Sequence, residues 1–367
     1  LLMIFSASYV KAITTLDNAY YYLIRQGIIL IIFLFIFLIG INISTNLYKK
    51  SYNLILILSI GTLLLLYPFG IVVNGAKSWL PFVFFNFQPS ELVKIALIIY
   101  MAYYYEKNKN NKEDYKIALK PFIYIFILFT LVALQPDLGT ALIIFILSFA
   151  IFIAVPLYPK VKHDTAKIIM LTILFGGVLL SLLLISGKSG LYEYQLQRFN
   201  FLKPCARYTE VGTGYQVCNA YIAINNGGLF GVGIGNSTQK YLYLPESYTD
   251  FIFPVIIEEL GIIVGAFILL IYAYIIFRIL KIAKKCYRLS DGLICYGVAA
   301  YIFIHLFINL VGVLGLLPLT GVPLPFLSYG GSYALCLTLA LTLVQRIHIE
   351  TNVIKQEESL KNKIKEI

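Results

Sequence analysis

The chain has 367 residues, of which 60% are hydrophobic and only 13% charged. A soluble domain carries about a quarter charged residues, whereas apolar runs of about 20 residues, each able to cross a hydrocarbon core of about 30 Å, recur along this chain; a soluble globular enzyme is excluded. The net charge of +11 would suit a nucleic-acid partner, but the basic residues sit in loops between apolar runs and no nucleic-acid motif accompanies them, so no nucleic acid is expected.

The first stretch, Leu1-Leu2-Met3-Ile4-Phe5-Ser6, is too short to span a bilayer and reads as the second half of a helix truncated at its N-terminus. It lacks the basic front and cleavage site of a signal peptide. Nine further apolar segments follow, near 22–42, 52–72, 89–105, 120–134, 137–157, 167–186, 251–278, 293–315 and 327–346. The expectation is an all-α polytopic membrane protein of about ten transmembrane helices, forming a single domain over 1–367. The third to fifth of these segments are short or flanked by proline, which leaves room for a re-entrant or tilted one.

Five loops concentrate the basic residues: Lys49 and Lys50; Lys107 to Lys120; Lys160 to Lys167; Arg278 to Arg288; and the tail from Arg346 to Lys365. With ten alternating spans all five fall on one side, which the positive-inside rule makes cytoplasmic, together with both termini. The tail, 347–367, is charged and either helical or disordered. The opposite face carries one long connection, about 187–249, between helices 7 and 8, rich in Gly, Asn, Tyr and Gln. Loops of that length in compact proteins are functional or disordered. It holds Cys205 and Cys218, a disulfide in an oxidising compartment or else two free thiols.

Five clusters of polar or backbone-breaking residues interrupt the apolar pattern, and polar groups at membrane depth are costly enough to need a reason. The first runs from Asn74 through Lys77, Ser78 and Trp79 to Gln88-Pro89-Ser90-Glu91 and Lys94. Glu91 and Lys94 share a helix face at i, i+3, so an interfacial ion pair and a functional pair are both open; Trp79 suits an interface anchor. The second is Gln135-Pro136-Asp137-Leu138-Gly139-Thr140, where Asp137 either caps the next helix or pairs with a base from another span. The third, Asn225 to Lys240, contains Gly227, Gly228, Gly231, Gly233 and Gly235. Such glycines permit positive φ, and successive N–H groups can cradle an anion; a tight-turned surface loop is the plainer alternative. The fourth, Leu244 to Phe253 with Glu258 and Glu259, places Asp250 where a polar loop meets a helix, as a helix cap or as a catalytic carboxylate. The fifth, Gly315 to Ser332, has Pro318, Pro323 and Pro325 among apolar residues, a broken backbone of the kind that lines a cavity.

These five clusters, in this order, resemble the SEDS family (shape, elongation, division and sporulation; the FtsW, RodA and SpoVE proteins) over nearly the whole chain. The resemblance implies ten transmembrane helices and a peptidoglycan glycosyltransferase that polymerises lipid II, a disaccharide-pentapeptide on undecaprenyl pyrophosphate. It implies a class B penicillin-binding protein as partner, alongside other divisome proteins and membrane lipid. The family's essential outer-loop acid falls on Asp250, and Glu91, Lys94, Trp79 and Asp137 fall on further positions of importance. Where many relatives carry His before the Thr-Asp pair, this chain has Tyr248. The stretch from Asn236 to Glu246 looks like the division type of Gram-positive bacteria, which would place the protein at the septum; Leu317 to Pro325 is also compatible with the elongation type.

On this reading Asp250 is the general base, and Lys240, Arg198 and the glycine-rich backbone stabilise the departing pyrophosphate. Gln239 and Ser328 complete the candidate substrate-binding set. A divalent cation on the pyrophosphate is compatible, but no metal-ligand spacing demonstrates one. The rivals are a lipid II flippase, a secondary transporter and a non-catalytic divisome scaffold. A transporter would show broken helices in matching halves, and only the 315–332 segment reads as broken.

Overall fold

The computed structural model describes residues 1–73, 75–82, 85–185, 203–208, 213–241 and 243–365. Arg198 and Asn74 therefore lie outside the described residues. Twelve α-helices are described: α1 (Leu2–Leu16), α2 (Tyr21–Gly40), α3 (Thr45–Leu64), the short α4 (Leu66–Phe69), α5 (Pro89–Lys107), α6 (Tyr115–Ala133), α7 (Leu138–Ala154), α8 (Pro159–Ile185), α9 (Thr213–Gly227), α10 (Ile252–Ala283), α11 (Leu289–Val313) and α12 (Gly331–Lys365). Six of the described segments are long and apolar enough to cross a membrane: Tyr21–Gly40, Thr45–Phe69, Tyr115–Ala133, Ile252–Ala283, Leu289–Val313 and Gly331–Asn362. The protein is an all-α polytopic membrane protein.

Helix starts fall earlier than hydropathy places them, because polar residues form the first turns. Ser44 caps α3 by accepting from Asn46 N, and Asp114 caps α6 by accepting from Lys116 N. Each satisfies one of the N–H groups that a helix start leaves open. The short α5, α6 and α7 are each continuous. The tail is helical to Lys365 as part of α12. The sequence reading placed Trp79 at the end of a span; instead a small antiparallel sheet, β1 (Ile71–Val73), β2 (Ala76–Pro81) and β3 (Asn86–Phe87), links α4 to α5 in the order β1-β2-β3.

Packing sorts the helices into a centre and a rim. Helix α5 packs against α3, α7, α11 and α12, and its residues from Val93 to Tyr105 are all buried. By contrast α2 and α10 present rows of exposed apolar side chains, among them Ile31, Phe35 and Ile39, and Phe267, Leu270 and Phe277. Exposed large apolar rows of this kind suit hydrocarbon as solvent. The five basic regions meet at one end of the bundle. Lys49 pairs with Glu106 and Glu106 accepts from Ser290 N. Arg346 reaches Ile41 O, Glu350 accepts from Thr45 N, and Tyr158 N donates to Lys112 O.

The feature absent from the sequence reading is a break inside α10. Gly261 has φ 85° and ψ 165°, which interrupts the helical ladder. The freed carbonyls of Glu258 and Glu259 accept from Val232 N and Gly233 N, each at 2.9 Å, while Ile262 N donates to Gly228 O at 3.0 Å and Ile263 N to Leu229 O at 3.4 Å. The glycine-rich segment thus completes the broken helix. A Cβ on Gly261 would stand 2.2 Å from Leu229 O, and one on Gly231 2.3 Å from Glu259 O, so both backbones approach where only glycine fits. Gly261→Ala is expected to cost at least about 2 kcal/mol, from the positive φ and the collision together. Thermal unfolding of the purified protein checks this, and an unchanged midpoint would mean that the break relaxes freely.

Candidate active site

Asp250 sits just before α10, half-buried. The cap position belongs to Phe251, with no side-chain capping bond, so Asp250 does not serve as the helix cap. Its peptide is fixed from three directions. Asn309, on α11, donates through Nδ2 to Asp250 O and to Val322 O, both at 2.8 Å. Ser328 Oγ donates to Thr249 O at 2.5 Å and accepts from Leu324 N at 2.8 Å. Tyr329 N donates to Tyr248 O at 2.9 Å. Ser328 therefore ties the Pro-rich segment to the Asp250 loop. The Thr249 hydroxyl lies 2.9 Å from both Asp250 Oδ1 and Glu246 Oε2 and has one proton to give, so it serves one carboxylate at a time.

Lys11, from α1, completes this corner. Its ammonium is 3.5 Å from Glu246 Oε1 and 5.0 Å from the centre of the Tyr248 ring. Burial, with the Glu246 carboxylate nearby, holds the Tyr248 phenol above its ordinary range. Tyr248 therefore stays a neutral phenol near pH 7. Its ring packs at 4.7 Å on Tyr22 and 5.7 Å on Tyr329.

Behind Asp250 the surface opens in two connected parts. A small cleft is bounded by Asp250, Asn309, Gly312 and Gly321. It shares Ile308, Leu319 and Thr320 with an apolar groove of about 410 Å³ between α7, α11 and the 317–320 segment. The groove walls include Leu142, Phe303 and Phe307, whose side chains face outward among the exposed apolar residues. A carboxylate thus stands at one end of an apolar channel that is open along the side of the bundle.

The other sequence-derived candidates are held by partners of their own. Lys240 is buried and its ammonium is fully engaged, 2.9 Å from Glu259 Oε1, 3.1 Å from Ser6 Oγ and 2.6 Å from Gly235 O. Its three donors hold the glycine-rich segment to α10 and α1. Gln239 is buried beside it, with its backbone N–H donating to Glu258 Oε2 at 3.3 Å and its side-chain oxygen without a partner among the described residues. Glu258 gathers Thr238 N and Oγ1, Asn226 Nδ2 and the Ser237 hydroxyl. Two adjacent carboxylates therefore organise the third cluster.

Glu91 and Lys94 form a buried ion pair of 2.6 Å within the helical core. Tyr301 OH donates to Glu91 Oε2 at 2.9 Å, and Lys94 Nζ lies 3.1 Å from His305 Nε2. Asp137 is the cap of α7, accepting from Thr140 N at 3.2 Å, and it also accepts from Gln88 Nε2 at 3.2 Å. Gln88 N in turn donates to Ser332 Oγ at 2.9 Å, so the first, second and fifth clusters converge. Trp79 is half-buried on β2, opposite Ile71. Cys205 and Cys218 form a disulfide. Sequence reasoning missed Lys11, Asn309 and His305, which stand alone in apolar or terminal helices; their solitude among apolar neighbours was the available signal.

An apolar groove along the side of a bundle of membrane-length helices, ending at a fixed carboxylate, belongs to an integral membrane protein. Comparison with known proteins narrows that class. The family model of the cell cycle proteins FtsW, RodA and SpoVE matches residues 1–353, and the chain belongs to this family. It is 34% identical over 371 residues, covering 99% of this chain and 89% of the relative, to a Bacillus subtilis protein named "Probable peptidoglycan glycosyltransferase FtsW". A Coxiella burnetii protein of the same name is 36% identical over 360 residues, 96% of this chain and 92% of the relative. The fold also matches a chain in a solved peptidoglycan synthase complex described as coordinating polymerization and crosslinking, with TM-score 0.72, 24% identity, and coverage of 95% and 97%.

Removing one member of a buried ion pair strands the other. Glu91→Gln is expected to cost about 3–5 kcal/mol, while Glu91→Gln combined with Lys94→Met should recover most of it. Thermal unfolding of the three proteins distinguishes the outcomes. Equal stability of wild type and Glu91→Gln would leave the pair without a structural role.

Proposed function

We propose that the chain is a peptidoglycan glycosyltransferase that polymerises lipid II into glycan strands, with Asp250 as general base. The observation that carries this reading is Asp250 itself, held through its own peptide by Asn309 at the end of the lateral apolar groove. The groove suits the undecaprenyl chain, while the sugar and pyrophosphate reach the polar corner. The names of the curated relatives support the chemistry and favour the division type acting at the septum.

In the reaction a hydroxyl of the acceptor sugar attacks the anomeric carbon of the donor. Asp250 accepts the hydroxyl proton as the new C–O bond forms, typically worth 10²–10⁴-fold in rate. The bond between the anomeric carbon and the phosphate oxygen breaks on the opposite face, inverting the centre, and undecaprenyl pyrophosphate departs with the electron pair. The Thr249 hydroxyl biases the carboxylate by turning its O–H toward either Glu246 or Asp250. Lys11, half-buried beside Glu246, and Arg198 are the cations proposed to steady the leaving group. Lys240 supports the site by holding the glycine-rich segment. On the proposed topology of ten crossings, with the basic end and both termini in the cytoplasm, Asp250 lies on the outer face, a reading supported by the grouping of lysines at one end. A class B penicillin-binding protein as partner is supported by the fold match to a chain of a synthase complex.

Polymerisation from labelled lipid II in detergent, with the cognate class B penicillin-binding protein present, tests the assignment. Wild type should form polymer, and a folded Asp250→Asn protein should lose at least about 100-fold, within the range set by loss of a general base. Polymer from both at equal rates removes Asp250 from the chemistry. Polymer from neither, with lipid II still crossing liposome membranes, would replace the transferase with a flippase.

A further inference from the structure

The basic end of the bundle carries a second cavity, of about 580 Å³, between α3, α5 and the start of α6. It lies far from Asp250. Helix α5 begins at Gln88, which bonds Asp137, and its last residue Lys107 lines this cavity; its 19 residues rise about 28 Å, nearly a hydrocarbon thickness. Nothing in the proposed reaction uses this space.

Its lining combines three kinds of chemistry. Lys107, Lys116 and Lys120 supply positive charge, and none has an acidic partner within 4 Å among the described residues, unlike Lys49, Lys94 and Lys240. Two acids close in sequence are engaged elsewhere: Asp114 caps α6 through Lys116 N at 2.8 Å, and Glu106 pairs with Lys49 and accepts from Ser290 N. Tyr52, Tyr104 and Asn53 add neutral polar groups, and the two tyrosine hydroxyls make no hydrogen bond to the described protein. Leu56 and Ile57 continue the lining into the apolar face of α3, where Leu54, Ile57 and Leu58 are all exposed. The cavity therefore straddles the boundary between a polar, cationic rim and a hydrocarbon-facing wall.

We propose that this cavity binds the headgroup of an anionic glycerophospholipid of the leaflet at the basic end, with phosphate at the lysines and an acyl chain along α3. Three uncompensated cations select a net negative headgroup, because juxtamembrane lysines attract anionic lipid and basic pockets between helices hold phosphate headgroups. The tyrosine hydroxyls donate to the phosphate oxygens, and charge-assisted bonds of that kind are the strong ones. The apolar wall is what separates a lipid from a soluble phosphate, which would gain nothing from Leu56 and Ile57. The lipid ties α3, α5 and α6 together at the end remote from the reaction.

Native mass spectrometry of the full chain in detergent, titrated with phosphatidylglycerol or phosphatidylcholine, tests this, with thermal unfolding alongside. Wild type should retain one phosphatidylglycerol at least tenfold more tightly than phosphatidylcholine. Lys107→Gln, Lys116→Gln and Lys120→Gln together should abolish that preference. Lys281→Gln, Lys284→Gln and Lys285→Gln, exposed at the same end but outside the cavity, should keep it within twofold. The single variant Lys120→Glu should weaken retention at least threefold, which keeps the test open if the triple variant folds poorly. Equal retention of both lipids, or unchanged preference in the Lys107, Lys116 and Lys120 variants, overturns the proposal. Soluble glycerol phosphate stabilising wild type as well as phosphatidylglycerol does overturns the assignment to a lipid.

Discussion

A helix interrupted at membrane depth must find partners for every backbone group that it releases, because lipid offers none. At Gly261 that demand is met by one other segment. The turn from Gly227 to Gly235 gives two N–H groups to the carbonyls above the break and takes two from below it. The exchange fixes where the glycine-rich turn lies, and through Glu258 and Glu259 it fixes the side chains around it. Lys240 and Ser6 then fasten the same point to α1. The polar corner around Asp250 adjoins this joint, since Asp250 directly precedes the half-helix that the break sets apart.

The polar groups of the described core follow a consistent division. Charges deep in the bundle, Glu91 with Lys94 and Glu259 with Lys240, face each other and are closed off by hydroxyl partners. Such pairs are expensive to break and contribute little net stability; their hydroxyl partners join the helices, Tyr301 of α11 to Glu91 and Ser6 of α1 to Glu259. The charges beside the groove are different. Asp250, Glu246 and Lys11 are partly open to the exterior; the Thr249 hydroxyl is shared between the two carboxylates, and Lys11 stands 3.5 Å from Glu246. Groups held that loosely can exchange protons and partners, whereas the core pairs cannot. This contrast separates Asp250 from Glu91, Lys94, Lys240 and Glu259.

Much of this was legible in the sequence. Apolar run length gave the membrane class and the helical segments, and the grouping of lysines marked one end of the bundle, because both depend on composition summed over many residues. The capping role of Asp137 was one of two open readings, settled by Thr140 N. The break at Gly261 was illegible: its hydropathy is uninterrupted, and only the distant Gly231 and Leu229 give the glycine its purpose. The same holds for Lys240, whose position beside Asp250 in the chain suggested a shared site, while its ammonium is taken by Glu259, just before the break. Asn309 looked like an isolated polar residue in an apolar helix, since the peptide that it grips is 59 residues away. Residues acting through long-range backbone contacts leave no local pattern, and the short β1–β3 ribbon, with strands of two to six residues, is below the length at which alternation can be read.

The disulfide between Cys205 and Cys218 carries a consequence for biogenesis. Cys218 lies on α9, whose C-terminal turn leads directly into the segment that completes α10. Thiols stay reduced in the cytosol and pair only in oxidising surroundings. The clip on α9 therefore closes only where this part of the chain meets oxidising surroundings, and it ties Cys205 to the helix that leads into the backbone exchange at Gly261. A reducing environment would leave that tie open, so the redox state of its surroundings bears on the helix that leads into the completion of α10.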